Sequence, residues 1–385
     1  MTLPKPDSIA QQHSKQLLSL IYDEIDRAGG KITFAEYMHL CLYAPGLGYY
    51  SAGSQKLGRH GDFTTAPEIS SLFSRTFAHH IKDVLVQLEQ PSIIEFGAGS
   101  GKMAADILLE LASLNLLPEK YYIIEVSADL RERQCNTISR LIPDLADKVV
   151  WLASFPANFS GVVLANEVCD AMPIHLLHFK QGGVFERYVE HNEASLQWCD
   201  DELSQAALTS HATEIQTLIN DDDYITEVNL AAESWLCSIA DGLQQGAIFI
   251  CDYGYPKADY YHPQRSEGTL MCYFQHQGHA DPLILQGLQD ITSHVDFTLL
   301  AQAAIDNNLE VTGFQSQADF LLAGGIAELY DAGKRDELTM LQQATEIKQL
   351  TLPSAMGESF KVLTLSKNLE QLLSRCQLAD RRYTL

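Results

Sequence analysis

The sequence predicts an α/β protein with a Rossmann-like, doubly wound and largely parallel sheet. Three observations predict it: strands and helices alternate from residue 91 onward, a strand at 93–96 runs into a triple-glycine turn at 97–101, and an acid, Glu125, closes the next strand. The 385 residues suffice for one large α/β domain with additions or for two modest domains, and 46% hydrophobic with 20% charged residues is a globular composition.

Ahead of that core, Ile9, Leu17, Leu18, Leu20, Ile21 and Ile25 recur at helical spacing until Gly29-Gly30 stops the pattern. A second short helix is expected over 33–42, where Thr33 and Glu36 have capping-box spacing. The polar segment GRHGDFTTAPEISS at 58–71 reads as a loop entering an amphipathic helix over 67–88. The core then reads as strand 93–96, a helix to 114, strand 121–126, helix 128–141, strand 149–152 and strand 161–165.

Residues 176–226 break this rhythm with a hairpin around Gln181-Gly182-Gly183. Helix 230–243 and strand 247–252 resume it, a long loop rich in Tyr, His and Gly fills 253–293, and helix 297–307, strand 310–315 and strand 360–366 follow. The expected organisation is an N-terminal helical and loop segment, 1–90, contributing to the functional site. It precedes a Rossmann-like domain, 91–385, with insertions at about 176–226 and 253–293.

Acidic residues outnumber basic ones by 50 to 26, a formal charge of −24 that repels a phosphate backbone, and no run of Lys or Arg offsets it. Nucleic acid is therefore an unexpected partner, and a basic segment of a protein a favourable one. The eight cysteines are scattered without a CxxC pair or nearby His at zinc-ligand spacing, so they read as reduced thiols and no metal is expected. No stretch approaches the roughly 20 apolar residues of a membrane span, and the start lacks an apolar signal core, so a cytoplasmic location is the default expectation. Oligomeric state is not encoded in any pattern of this kind.

Glycines at 97, 99 and 101 let the backbone bend sharply and approach a ligand. A dinucleotide fold wants its last glycine at 102, where Lys102 stands, which disfavours an NAD-dependent oxidoreductase. The pattern E-x-G-x-G-x-G from Glu95 through Gly97, Gly99 and Gly101 instead matches the S-adenosyl-L-methionine motif, with the early carboxylate serving the methionine end. Glu125, 28 positions after Gly97, is placed to accept hydrogen bonds from both ribose hydroxyls. The alternative is a tight βα turn with a solvated strand end.

Glu167 and Asp170 follow the fourth core strand, at the carboxyl edge where a reacting group must face the cofactor. Methyl transfer is an in-line displacement, and two carboxylates suit a guanidinium, which they pair with bidentately. The competing reading makes Asn166 or Asp170 a helix N-cap. His294, within DITSHVDF, is a second catalytic candidate able to steady a carboxylate or relay a proton, while Thr292 and Asp296 offer to start a helix. Phe63 and Thr65, in the loop GDFTTAPE, are candidates to wall and hydrogen-bond the cofactor, with Thr64 or Thr65 as a helix cap the alternative.

These residues resemble the MidA-like methyltransferases, a family that includes a mitochondrial complex I assembly factor methylating arginine. The resemblance rests on GDFTTAPEIS at 61–70, IEFGAGSGKMAADIL at 94–108, ANEVCDAMP at 165–173, ICDYGYP at 250–256, GTLMCY from Gly268, DITSHVDF at 290–297 and MGESFKVL at 356–363. It implies a class I SAM-dependent methyltransferase sheet with an N-terminal helical segment and inserted substrate-side elements. It also implies cofactor roles for Gly97, Gly99, Gly101 and Glu125. The pair Glu167 and Asp170 looks similar in placement to the paired acids of arginine methyltransferases, although Asp170 is shorter and comes sooner than in their double-glutamate loop.

The function implied is methylation of an accessible arginine in a protein substrate, such as a respiratory complex subunit. Methylation of another residue or a small molecule, and a cofactor-binding assembly factor without turnover, are the alternatives.

Overall fold

The computed structural model describes residues 3–52, 65–192, 195–219, 223–331 and 336–385. The chain packs as two compact units. The first comprises Met1–Phe63, Asp170–Ser234 and Tyr255–His294, and the second Thr64–Cys169, Trp235–Gly254 and Val295–Leu385.

Among the described residues of the second unit, seven strands form the path of the sheet: β1 Ser92–Phe96, β2 Tyr121–Ile124, β3 Val149–Leu152, β4 Phe159–Asn166, β5 Leu243–Tyr255, β6 Glu310–Ser316 and β7 Phe360–Lys367. Their order is β6-β7-β5-β4-β1-β2-β3, with Val295–Asp296 pairing beside β5. β5, β4, β1, β2 and β3 run parallel. β7 is antiparallel to both β5 and β6 and separates them. This is the expected α/β fold with a largely parallel sheet.

Buried strand runs such as Ile93, Val162, Leu164, Phe249 and Val362 pack with Phe73, Phe77, Leu108 and Phe320 from flanking helices. The helix expected over 67–88 is two helices, Ala66–Ile69 and Ser71–Leu85, separated by Ser70 in an extended conformation. The Ser70 hydroxyl accepts the Leu72 N–H and donates to Glu346, so a short polar side chain ends one helix and starts the next.

The first unit is built on helices Ser8–Arg27 and Phe34–Tyr43 and, among the described residues, an antiparallel five-stranded sheet. In that sheet Gly183–His191 pairs with Lys31–Thr33, His175–Lys180 and Leu196–Asp201, and Asp223–Val228 lies beyond His175–Lys180. The segment 253–293, expected as a loop, contains a second antiparallel sheet of Met271–Phe274, Gln277–His279 and Asp290–Thr292. These strands are short, so their periodicity was too brief to show in the sequence. Leu17, Ile21, Phe34, Tyr37 and Met38 pack against Ile174, Leu176, Val189, Cys272 and Ile291 to form a core for this unit. No helix among the described residues is long and apolar enough to cross a membrane.

Candidate active site

The carboxyl ends of β2, β1, β4 and β5 lie side by side in the second unit: Ile124 pairs with Phe96, Phe96 with Ala165, and Asn166 with Cys251. Adjacent strand ends are thereby held roughly 5 Å apart.

The glycine turn leaves β1 with Gly97, Gly99 and Gly101 at φ of 60°, 52° and 83°. A side chain in this left-handed region costs about 1–2 kcal/mol. At Gly101 space is also tight, since a β-carbon would stand 3.1 Å from the Gln134 Cα and push that neighbour back by a few tenths of an ångström. The turn is fastened by the Gly97 N–H to the Ile124 carbonyl at 3.1 Å and opens the helix Lys102–Ser113. Lys102 forms an ion pair with Asp106 one turn along that helix.

Glu125, directly after β2, accepts the Ser127 N–H on Oε1 and the Gln134 side-chain amide on Oε2, both at 2.9 Å. Burial pushes its carboxyl above the ordinary range, against the lowering pull of those donors. Glu95 backs the turn from within the sheet. It is buried, accepts the Tyr121 hydroxyl at 2.7 Å, and burial raises it to about 7. Thr65 occupies the N-cap position of Ala66–Ile69 without a side-chain cap bond. Glu68, in the same short helix, accepts the Ser100 hydroxyl and so joins the GDFTTAPE segment to the glycine turn. Phe63 lies outside the described residues.

Beyond β4, Glu167 is held at φ 53°, an unusual conformation for a non-glycine residue. Its N–H donates to the Cys251 carbonyl at 2.9 Å, and the Asn166 amide donates to Glu167 Oε1 at 3.1 Å. Asn166 Oδ1 is buried and accepts no hydrogen bond among the described residues. Asp252, wholly buried on β5, accepts the N–H groups of Cys169 at 3.0 Å and Tyr253 at 2.9 Å, so it fixes the path of the turn after β4. The segment 166–170 caps no helix, because the next regular element is the strand His175–Lys180.

Asp170 belongs to the first unit, where it is buried and its carbonyl accepts the Ser293 N–H at 3.0 Å. Asp290, also buried there, accepts the Tyr50 hydroxyl at 2.9 Å, and the Tyr50 ring stacks on Tyr43 at 5.6 Å. Burial raises the Tyr50 phenol, and the charges of Asp290 and Asp170 add to the effect, so both acids share its neighbourhood.

His294 stacks on Tyr255 at 5.3 Å, its N–H donates to the Thr269 hydroxyl, and its carbonyl accepts from Tyr260. Burial lowers its ring to about 4, with Arg265 adding to the effect, so the imidazole is neutral at pH 7. Asp296, not Thr292, caps the helix that follows, accepting from Thr298 and Leu299.

Sequence reasoning passed over Gln134, Asn166's acceptor, Asp252 and Asp290 as site residues. Asp252 and Asp290 stand in the blocks ICDYGYP and DITSHVDF, whereas Gln134 is a glutamine inside a helix and carries no sequence signal.

Residues 72–315 match the model of a family described as "Putative S-adenosyl-L-methionine-dependent methyltransferase". A solved structure of a Burkholderia thailandensis protein bound to S-adenosyl-homocysteine is similar over 100% of both chains, at 39% identity and a TM-score of 0.95. The Drosophila melanogaster relative named "Protein arginine methyltransferase NDUFAF7 homolog, mitochondrial" is 27% identical over 392 residues, covering 93% of this chain and 84% of the relative. The Mus musculus protein arginine methyltransferase NDUFAF7 is 28% identical over 376 residues, covering 88% and 82%. A family match running through the glycine-turn core, joined to a full-length structural likeness, shows that the chain belongs to the MidA-like family of S-adenosyl-L-methionine-dependent methyltransferases.

Proposed function

We propose that the protein methylates an arginine guanidinium of a protein substrate. The observation that carries the reading is Glu167, a carboxylate at the carboxyl edge of the sheet, held in a backbone conformation of the kind that concentrates at functional sites. Relatives of near full-length similarity that bear the name protein arginine methyltransferase support it.

The residues present fit the cofactor. The turn from Gly97 to Gly101 exposes backbone, Glu125 offers a carboxylate for the ribose hydroxyls, and the buried Asn166 Oδ1 is an acceptor awaiting a donor such as the methionine ammonium. S-adenosyl-L-methionine supplies an electrophilic methyl group on a sulfonium.

The chain's own residues orient the acceptor and handle its proton. A guanidinium, with a pKa above ~12, does not give up a proton to water at neutral pH. Glu167 accepts its N–H groups, fixes the attacking nitrogen and takes up the proton that this nitrogen sheds as its bond to the methyl carbon forms and the methyl–sulfur bond breaks. His294, neutral at pH 7, stacks on Tyr255.

The test is methyl transfer from labelled cofactor to a cell lysate, with the modified residue identified by mass spectrometry. Methylarginine is expected from the wild type, and Glu167→Gln is expected to lose about 100-fold or more of the rate while adenosylhomocysteine affinity stays within about twofold. Methyllysine or a methylated small molecule instead of methylarginine, or full activity in Glu167→Gln, overturns the proposal.

A further inference from the structure

Gln134 lies on the helix Ala128–Leu141 and is fully buried. A buried amide is costly unless its polar atoms are bonded, and an apolar side chain would fill the space without that demand. Here the bonds run to three separate parts of the cofactor edge. The Nε2 donates to Glu125 Oε2 at 2.9 Å and to the Gly99 carbonyl at 3.2 Å, and the Oε1 accepts the Trp151 indole N–H at 2.9 Å. The Gln134 Cα also lies against Gly101, 3.1 Å from where a β-carbon there would stand.

From these contacts we infer that Gln134 is a positioning residue for the cofactor: one buried amide locks the carboxylate of Glu125 to the glycine turn. The inference rests on Glu125 receiving the ribose. The carboxylate has a donor on each oxygen, Ser127 N–H on one side and Gln134 on the other. Two fixed donors stop its rotation and favour its charged form, leaving the remaining lone pairs aimed in one direction for the hydroxyls. Trp151, at the far side of the amide, fixes which end of Gln134 is the donor, since an indole N–H can only donate. The bond to Gly99 sets the height of the turn relative to that carboxylate. Removing the amide therefore frees the carboxylate from the turn.

The experiment is a double-mutant cycle read by calorimetric titration of adenosylhomocysteine, with Gln134→Met, Glu125→Ala and the double variant. Gln134→Met is expected to weaken binding about tenfold when Glu125 is present, equivalent to roughly 1.4 kcal/mol, and less than about twofold in the Glu125→Ala background. Trp151→Phe, which keeps the ring and removes the N–H that orients the amide, is expected to weaken binding about threefold with the same dependence on Glu125, and it keeps the test available if Gln134→Met folds poorly. Wild-type affinity in Gln134→Met, or an equal loss with and without Glu125, overturns the inference while leaving the ribose role of Glu125 standing. Wild-type affinity in Glu125→Ala overturns the ribose reading itself and the inference with it.

Discussion

Glu95 is buried beneath the glycine turn with the Tyr121 hydroxyl on one oxygen, and burial lifts its carboxyl from 4.5 to about 7. The native state then holds this proton more tightly than the unfolded chain does. Between pH 4.5 and about 7 the native state binds more protons, so stability falls as pH rises through that window. Glu95→Gln keeps an acceptor for Tyr121 and cannot titrate, so its stability relative to the wild type is expected to improve by up to about 3 kcal/mol from pH 4.5 to pH 7.5. Urea unfolding at several pH values measures this, and a constant difference across the range refutes it. At the same scale, the glycines and Glu125 were legible because a local turn dictates them. Gln134 and Asp252 were not, because their partners Glu125, Gly99, Trp151 and Cys169 are brought near only by the tertiary fold, and no sequence pattern shows that Asn166 Oδ1 is buried without a donor among the described residues.

Helix starts are local chemistry, and Thr33 shows how far that carries. Its hydroxyl accepts the Glu36 N–H at 3.2 Å while Glu36 accepts the Thr33 N–H at 2.8 Å, the reciprocal pair that the spacing predicted. Thr33→Ala is expected to cost about 1 kcal/mol, read as a lower urea midpoint with an unchanged slope, because the buried face of Phe34–Tyr43 stays intact. The break at Ser70 was hidden because both helices carry one apolar pattern, and the hydrogen bond to Glu346 comes from 276 residues away. β7 illustrates the limit more sharply. Its apolar run was visible, but its place between β5 and β6 and its antiparallel sense depend on pairings with residues distant in the chain.

Each unit of the molecule contains a histidine that burial holds neutral: His80 in the second, lowered to about 3, and His294 in the first, lowered to about 4, both from 6.5. Below pH 6.5 the unfolded chain binds protons that these native rings refuse, so stability is lost as the medium acidifies towards pH 3–4. Each ring is expected to cost about 2 kcal/mol at pH 5. His80→Gln, which retains a donor for the Phe320 carbonyl, is expected to flatten the fall in thermal midpoint between pH 6.5 and 5, and an unchanged slope counts against the buried neutral ring. The sequence by itself determined the α/β class, the glycine turn, the strand-end acid and most helix limits, since these follow from periodicity, caps and backbone freedom over a few neighbouring residues. Tertiary structure alone decided that the helices Ser8–Arg27 and Phe34–Tyr43 pack with Ile174, Leu176, Val189, Cys272 and Ile291, and that 253–293 contains a sheet. It also decided that one buried glutamine joins Glu125 to the glycine turn, because pairing and burial between distant segments are settled by the free energy of the whole fold.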